Sequence, residues 1–316
     1  MLALLFPGQG SQAVGMGRDA FEASPEARAV FAAADAALGL PLSRLCFEGP
    51  EAELVRTEIQ QPAILTVSVA LLRALQARGP LAPAYVAGHS LGEYTALVAA
   101  GALGFEDAVR LVHARGRLMQ EAVPAGHGAM AAILGAPELV ERACAEAQAA
   151  CGGLVAPSNY NAPEQTVIAG QAGAVAAACE RARAAGARRS VPLPVSAPFH
   201  CALMAPAADK LAAELASVRF SAPRPPVVTN VEAEPNADPA RIAELLRRQV
   251  TAPVLFVALV RRLSALGVTR VLEVGPGRVL SGLVARIERG MTRANLAGMD
   301  DLPGAAAFAS GASQGS

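Results

Sequence analysis

Short apolar runs closed by turns, with helical patterns between them, recur along most of this chain and limit its fold more than any other feature. The runs are Leu2–Phe6, Ala84–Ala87, Pro226–Asn230 and Arg270–Val274, followed by PGQGS, GHSLG, the polar VEAEPNADP stretch and GPG. Helical patterns occupy Gln61–Ala77, Leu91–Ala100 and Phe105–Val123. Strands buried on both faces read as continuous apolar runs rather than as an alternation. Strands alternating with helices therefore predict a mainly parallel sheet covered on both sides.

The middle of the chain carries a different rhythm. Strand patterns at Ala129–Leu134, Leu154–Ser158, Thr166–Ala169 and Arg189–Val195 enclose helical patterns at Pro137–Gln148 and Ala172–Ala185. That order, β-α-β-β-α-β, is the order of a ferredoxin-like unit. The expected architecture is α/β: a hydrolase-like large domain from residues 1–124 and 197–303, with a ferredoxin-like small domain inserted at 125–196. No internal repeat interrupts it. Residues 304–316, rich in Ala, Gly and Ser, are expected to be a disordered tail.

Composition excludes several function classes. With 27 basic and 27 acidic residues in 316, the chain has no net charge and lacks the footprint of a nucleic-acid binder. A hydrophobic share of 53% against 17% charged argues for a compact globular protein rather than a disordered one. Cys46, Cys144, Cys151, Cys179 and Cys201 are odd in number and widely spaced, which fits neither a disulfide framework nor a metal site. The apolar start lacks the basic flank and length of a signal peptide, and no apolar stretch reaches the ~18 residues of a membrane span. A cytoplasmic monomer with reduced thiols and no membrane contact is the expectation.

The chemistry concentrates at Gly88-His89-Ser90-Leu91-Gly92, a G-x-S-x-G between a predicted strand and a predicted helix. In that context the serine sits on a sharp turn with its hydroxyl exposed, and the Leu91 amide lies at a helix N-terminus where it can hold an oxyanion. A hydroxyl nucleophile needs a base. Of the four histidines, His89 should diverge from Ser90, His113 lies within a helix and His127 in a Gly-rich loop. His200, where the chain re-enters the large domain, remains by elimination. Arg115 shares a helix face with Leu111, Leu118 and Ala122, so it must snorkel to water or find an anion. The glycines of the loop after the first strand allow close backbone approach, making the Gln9 amide a candidate second oxyanion donor. That loop lacks the lysine of a phosphate loop, since no Lys precedes Lys210.

The motifs resemble those of malonyl-CoA:acyl-carrier-protein transacylases of bacterial fatty-acid synthesis over about residues 2–290. They are FPGQGSQ (6–12), GHSLGEYTALVAAGAL (88–103), RGRLMQEAVPAGHGAMAAILG (115–135), NAPEQTVIAG (161–170), PLPVSAPFH (192–200), RRQV (247–250) and EVGPGRVLSGL (273–283). Acyltransferase domains of polyketide synthases share a subset. The resemblance implies an acyltransferase in which Ser90 is acylated, His200 is its base and Arg115 pairs with the malonyl carboxylate. It also implies an oxyanion hole from the Gln9 and Leu91 amides, a Gln249 carbonyl that orients His200, and a Phe199 ring that disfavours an α-methyl group. The implied reaction is ping-pong, with malonyl-CoA as substrate and the acceptor thiol on the phosphopantetheine of acyl carrier protein. No bound cofactor and no metal are expected. The carrier is acidic in this family, which makes Arg117, Arg188, Arg189 and Arg278 candidate contacts. Three other readings stay open at this level: a serine thioesterase or lipase-like hydrolase, a non-catalytic carrier-docking module, and a trans-acting acyltransferase of a polyketide synthase or malonate decarboxylase.

Overall fold

A computed structural model describes residues 1–195 and 197–311 of the chain. Among the described residues ten strands form two sheets. The larger contains β1 (Leu2–Phe6), β2 (Tyr85–Gly88), β7 (Val227–Val228), β8 (Pro235–Asn236), β9 (Arg270–Val274) and β10 (Thr292–Leu296) in the order β10-β9-β1-β2-β7-β8. All pairings are parallel except β7 with β8. The smaller contains β3 (Gly128–Leu134), β4 (Val155–Ala162), β5 (Gln165–Gln171) and β6 (Arg189–Pro192), antiparallel throughout in the order β4-β5-β3-β6. Helices Pro137–Cys151 and Ala172–Ala184 cover one face of it, giving the ferredoxin-like insert.

Every residue of β1 is buried, and its side chains divide between two cores. Leu2, Leu4 and Phe6 join the core beneath the mostly buried helix Thr57–Gln76, while Ala3 and Leu5 join the core under Phe256–Ala265 and Val279–Ile287. Period-2 alternation between two apolar faces is why the strand reads as one continuous run. Among the described residues no helix is long and apolar enough to cross a membrane.

β8 lies in the stretch read as a turn and β6 ends at Pro192 rather than Val195, and two further segments depart from the sequence reading. Thr292–Leu296 is an edge strand whose outer positions are exposed, so its sequence, TRANL, carries no apolar run. Residues 304–310, expected to belong to a disordered tail, lie in the helix Leu302–Ser310, while 312–316 fall outside the described residues. Pro303 starts that helix, Leu302 and Ala305 are buried, and it packs on β9, β10 and Thr57–Gln76. Arg270 ties it down by donating to the Phe308 carbonyl (2.6 Å) and stacking on the Phe308 ring. The Ala-rich composition that suggested disorder is here a helix with a narrow apolar face. Residue 196, the last of the 125–196 segment, also lies outside the described residues.

The turn after β2 depends on two glycines. A Cβ on Gly88 would stand 2.0 Å from the backbone carbon of Gly92, and one on Gly92 would stand 2.0 Å from the Phe6 carbonyl oxygen. Real Cβ contacts never approach so closely, and backbone cannot retreat like a side chain. Gly92→Ala is therefore expected to cost about 3 kcal/mol or more, measured by urea unfolding. Stability equal to the parent chain would contradict this account of the turn.

Candidate active site

Because the helix Gly92–Ala99 begins only four residues after β2 ends, the chain must reverse sharply, and Ser90 takes φ of 52°. A serine in the left-handed region costs about 1–3 kcal/mol unless its surroundings hold it there. Asn230, just beyond β7, does so: its Oδ1 accepts from the Ser90 amide (2.6 Å) and its Nδ2 donates to the Gly88 carbonyl (2.7 Å). Leu91 caps the helix, so its amide is among the first N–H groups that helix geometry leaves unpaired.

Ser90 Oγ lies 2.7 Å from His200 Nε2, and His200 Nδ1 lies 2.8 Å from the Gln249 carbonyl oxygen. A carbonyl only accepts, so Nδ1 carries the proton and the Nε2 lone pair faces the serine hydroxyl. A backbone carbonyl thus occupies the position that a carboxylate holds in a Ser-His-Asp triad. His200 itself sits at φ 59°. Burial, with the nearby Arg115 charge, pushes its pKa down to about 3, so the imidazole is neutral throughout the physiological range.

Arg115 is 0% exposed, which removes the snorkelling alternative. Its Nη1 donates to Gln61 Oε1 (2.8 Å), and its Nη2 donates to Ser90 Oγ (3.1 Å) and Gln249 Oε1 (3.0 Å). The guanidinium also lies over the Tyr94 ring, 5.5 Å from its centroid. Its Nε has no partner among the described residues. A fully buried cation with neutral acceptors and an unused donor is poised for an anion. Desolvation acts on it and on its neighbours alike: it lowers the Arg115 pKa, raises Tyr94 to about 12 and raises Glu93 to about 7.

The loop carrying Gln9 runs along the elbow, since a Cβ on Gly8 would stand 2.5 Å from the His89 carbonyl oxygen. The Gln9 side chain donates to Gln60 Oε1 and accepts from Gln61 Nε2 (3.2 Å). Phe199, next to His200, is buried. His89 turns away to Asn161 Oδ1 (2.8 Å) on β4 and tilts against Phe256; burial lowers its pKa. His113 contacts the Glu58 carbonyl at 2.9 Å, and His127 is an exposed loop residue. Arg117, Arg188 and Arg278 are exposed and ion-paired with Glu121, Glu164 and Asp301, while Arg189 is exposed at the start of β6. Ser90, His200, Arg115 and Gln249 therefore come together, and the other three histidines do not join them.

Sequence reading missed Gln61, Glu93 and Asn230. Glu93 had a usable signal, a carboxylate within the otherwise apolar helix that follows the elbow. Asn230 lies just beyond the two-residue strand β7, more than a hundred residues away, and nothing local marks it.

From the His200 geometry, its imidazole resonances are expected not to titrate between pH 5 and 8 by NMR. The unfolded imidazole binds a proton below about 6.5 and the folded one does not. His200 thus contributes stability that is lost as pH falls from above 6.5 toward 3. A His200 titration near 6.5 would contradict the buried, neutral assignment.

The family model described as "Acyl transferase domain" matches residues 3–311. The malonyl CoA-acyl carrier protein transacylase of Escherichia coli (strain K12) is 52% identical over 295 residues, covering 93% of this chain and 95% of that one. An acyl carrier protein S-malonyltransferase from Vibrio cholerae superposes with a TM-score of 0.93 at 48% identity, covering 96% of this chain and 99% of that one. A malonyl-transacylase in complex with its type II PKS acyl-carrier protein gives 0.93 at 47% identity, with 96% and 98% coverage.

Proposed function

The chain belongs to the acyl transferase domain family, and we propose that it transfers the malonyl group of malonyl-CoA to the phosphopantetheine thiol of holo-acyl carrier protein, supplying extender units for fatty-acid synthesis. The observation that carries the reading is the buried Arg115 guanidinium against a Ser90–His200 pair. A hydrolase of uncharged esters has no use for a cation at that point.

In the first half-reaction His200 Nε2 takes the Ser90 proton as Oγ attacks the thioester carbon. The carbonyl oxygen becomes an oxyanion, held by the Gln9 and Leu91 amides. Collapse breaks the C–S bond, and the proton on Nε2 passes to the departing CoA thiolate, leaving malonyl-Ser90. In the second half His200 takes the proton of the phosphopantetheine thiol, the sulfur attacks the ester carbon, the C–O bond to Ser90 breaks, and the proton on Nε2 returns to Ser90 Oγ. Ping-pong kinetics follow. The Gln249 carbonyl keeps His200 in the tautomer both halves need. The hydrogen bond from Arg115 to Ser90 Oγ favours the developing alkoxide.

Specificity follows from the same cation. A malonyl carboxylate offers Arg115 a bidentate partner, whereas acetyl leaves a buried charge without one. Phe199 beside His200 crowds an α-methyl substituent. We read residues 125–196 as a separate small domain that meets the elbow through the contact of Asn161 with His89, and the enzyme as cytoplasmic. The likeness to a transacylase bound to a type II PKS acyl-carrier protein favours one second reading, in which the same site serves a polyketide carrier.

Arg115→Ala should lower malonyl transfer about 10²-fold, the loss expected when one partner of a buried hydrogen-bonded charge pair is truncated, with acetyl transfer changed far less. Steady-state kinetics with both thioesters check this, and equal losses would make Arg115 a structural residue. Ser90→Ala should leave no acyl adduct; an adduct on that variant would remove the nucleophile assignment.

A further inference from the structure

Among the described residues Glu93 is the one buried carboxylate of the site, 2% exposed in the first turn of the helix Gly92–Ala99, and the chemistry above does not use it. Its Oε2 accepts from Gln249 Nε2 (2.7 Å) and from the Asn230 amide (3.0 Å). Gln249 is the junction of the site. Its backbone oxygen holds His200, its Oε1 accepts from Arg115, and its Nε2 donates to Glu93 and to the Ser90 carbonyl (3.0 Å). The two ends of a side-chain amide have nearly the same shape, so its orientation is set by what they face. A guanidinium only donates and a carboxylate only accepts, which leaves one arrangement for Gln249. Arg115 meets neutral acceptors directly, while the Glu93 charge reaches it through the polarised Gln249 amide.

We propose that Glu93 is a positioning residue acting through Gln249: it fixes the amide with its oxygen toward Arg115, and its charge offsets the buried guanidinium until a substrate carboxylate arrives. Above about pH 7, where the Glu93 carboxyl is ionised, Glu93 and Arg115 sum to zero before substrate binds. With malonyl bound, two negative groups compete for one cation, so Glu93 moderates the affinity that Arg115 alone would give. The proposal rests on the reading that Arg115 receives the malonyl carboxylate.

Glu93→Gln separates charge from hydrogen bonding, because both bonds land on one oxygen that an amide also offers. At pH 8, with intact enzyme, the acylation half-reaction of this variant should favour malonyl-CoA over acetyl-CoA about tenfold more than the parent does, through a lower KM for malonyl-CoA. A role in packing alone would move both thioesters together, and an unchanged ratio overturns the proposal. A double-mutant cycle of Glu93→Gln and Arg115→Met, read by urea unfolding, tests the charge balance without activity. The double variant should unfold with a smaller loss than the two single losses combined, and should fold even where Glu93→Gln alone does not. Additive losses, or a double variant as unfolded as the single, overturn it. If Arg115→Ala instead lowers malonyl and acetyl transfer equally, the carboxylate reading fails, while the cycle still reports on Glu93.

Discussion

The rest of the structure answers to one constraint: a guanidinium with no solvent exposure must be kept beside a serine hydroxyl. Burying an ion costs several kcal/mol even after relaxation, and the cost is recovered only where partners are well placed. Gln61, Gln249 and the Ser90 hydroxyl supply acceptors to Arg115, Tyr94 supplies a ring face, and Glu93 supplies charge at one remove. The same field lowers the basicity of His200. A neutral imidazole next to a fixed cation is the state in which a serine proton can be accepted.

The fold delivers these groups from distant parts of the chain. The mainly parallel sheet brings the carboxyl ends of β1 and β2 side by side, and the loops that follow them carry Gln9 and Ser90. The helix Phe105–Glu121 presents Arg115, the helix Ile242–Thr251 presents Gln249, and Thr57–Gln76 presents Gln61. Glycines 88 and 92 let the elbow sit against β1 with no gap. Strain at Ser90 is held by Asn230 and Gln249, so the residues that shape the turn are also those that arrange the charges. The small sheet reaches the elbow through the contact between Asn161 and His89.

Sequence reading reached the parts of this design that have local patterns. β1 is a continuous apolar run because both its faces are buried, and the elbow announces itself by its glycines. Arg115 stands out as a charge on an apolar helix face. The edge strand Thr292–Leu296 has no apolar run to mark it because an exposed edge needs none, and residues 304–310 read as a tail because their part of the helix Leu302–Ser310 is mostly alanine and buries only Ala305. Asn230 and Gln61 escaped for a different reason. Their importance lies in pairings across long sequence separations, and a single polar residue carries no periodicity to mark such a pairing. Gln249 entered through resemblance alone, since a backbone carbonyl has no sequence signature.

The central claim is that one serine holds the acyl group between two thiols. Its most direct test is intact-protein mass spectrometry on enzyme mixed first with malonyl-CoA and then with holo-acyl carrier protein. The account predicts a malonyl adduct that maps to Ser90 and then moves to the carrier thiol, leaving the enzyme at its starting mass. An adduct lost to water with none reaching the carrier, or one mapping to another residue, would contradict it.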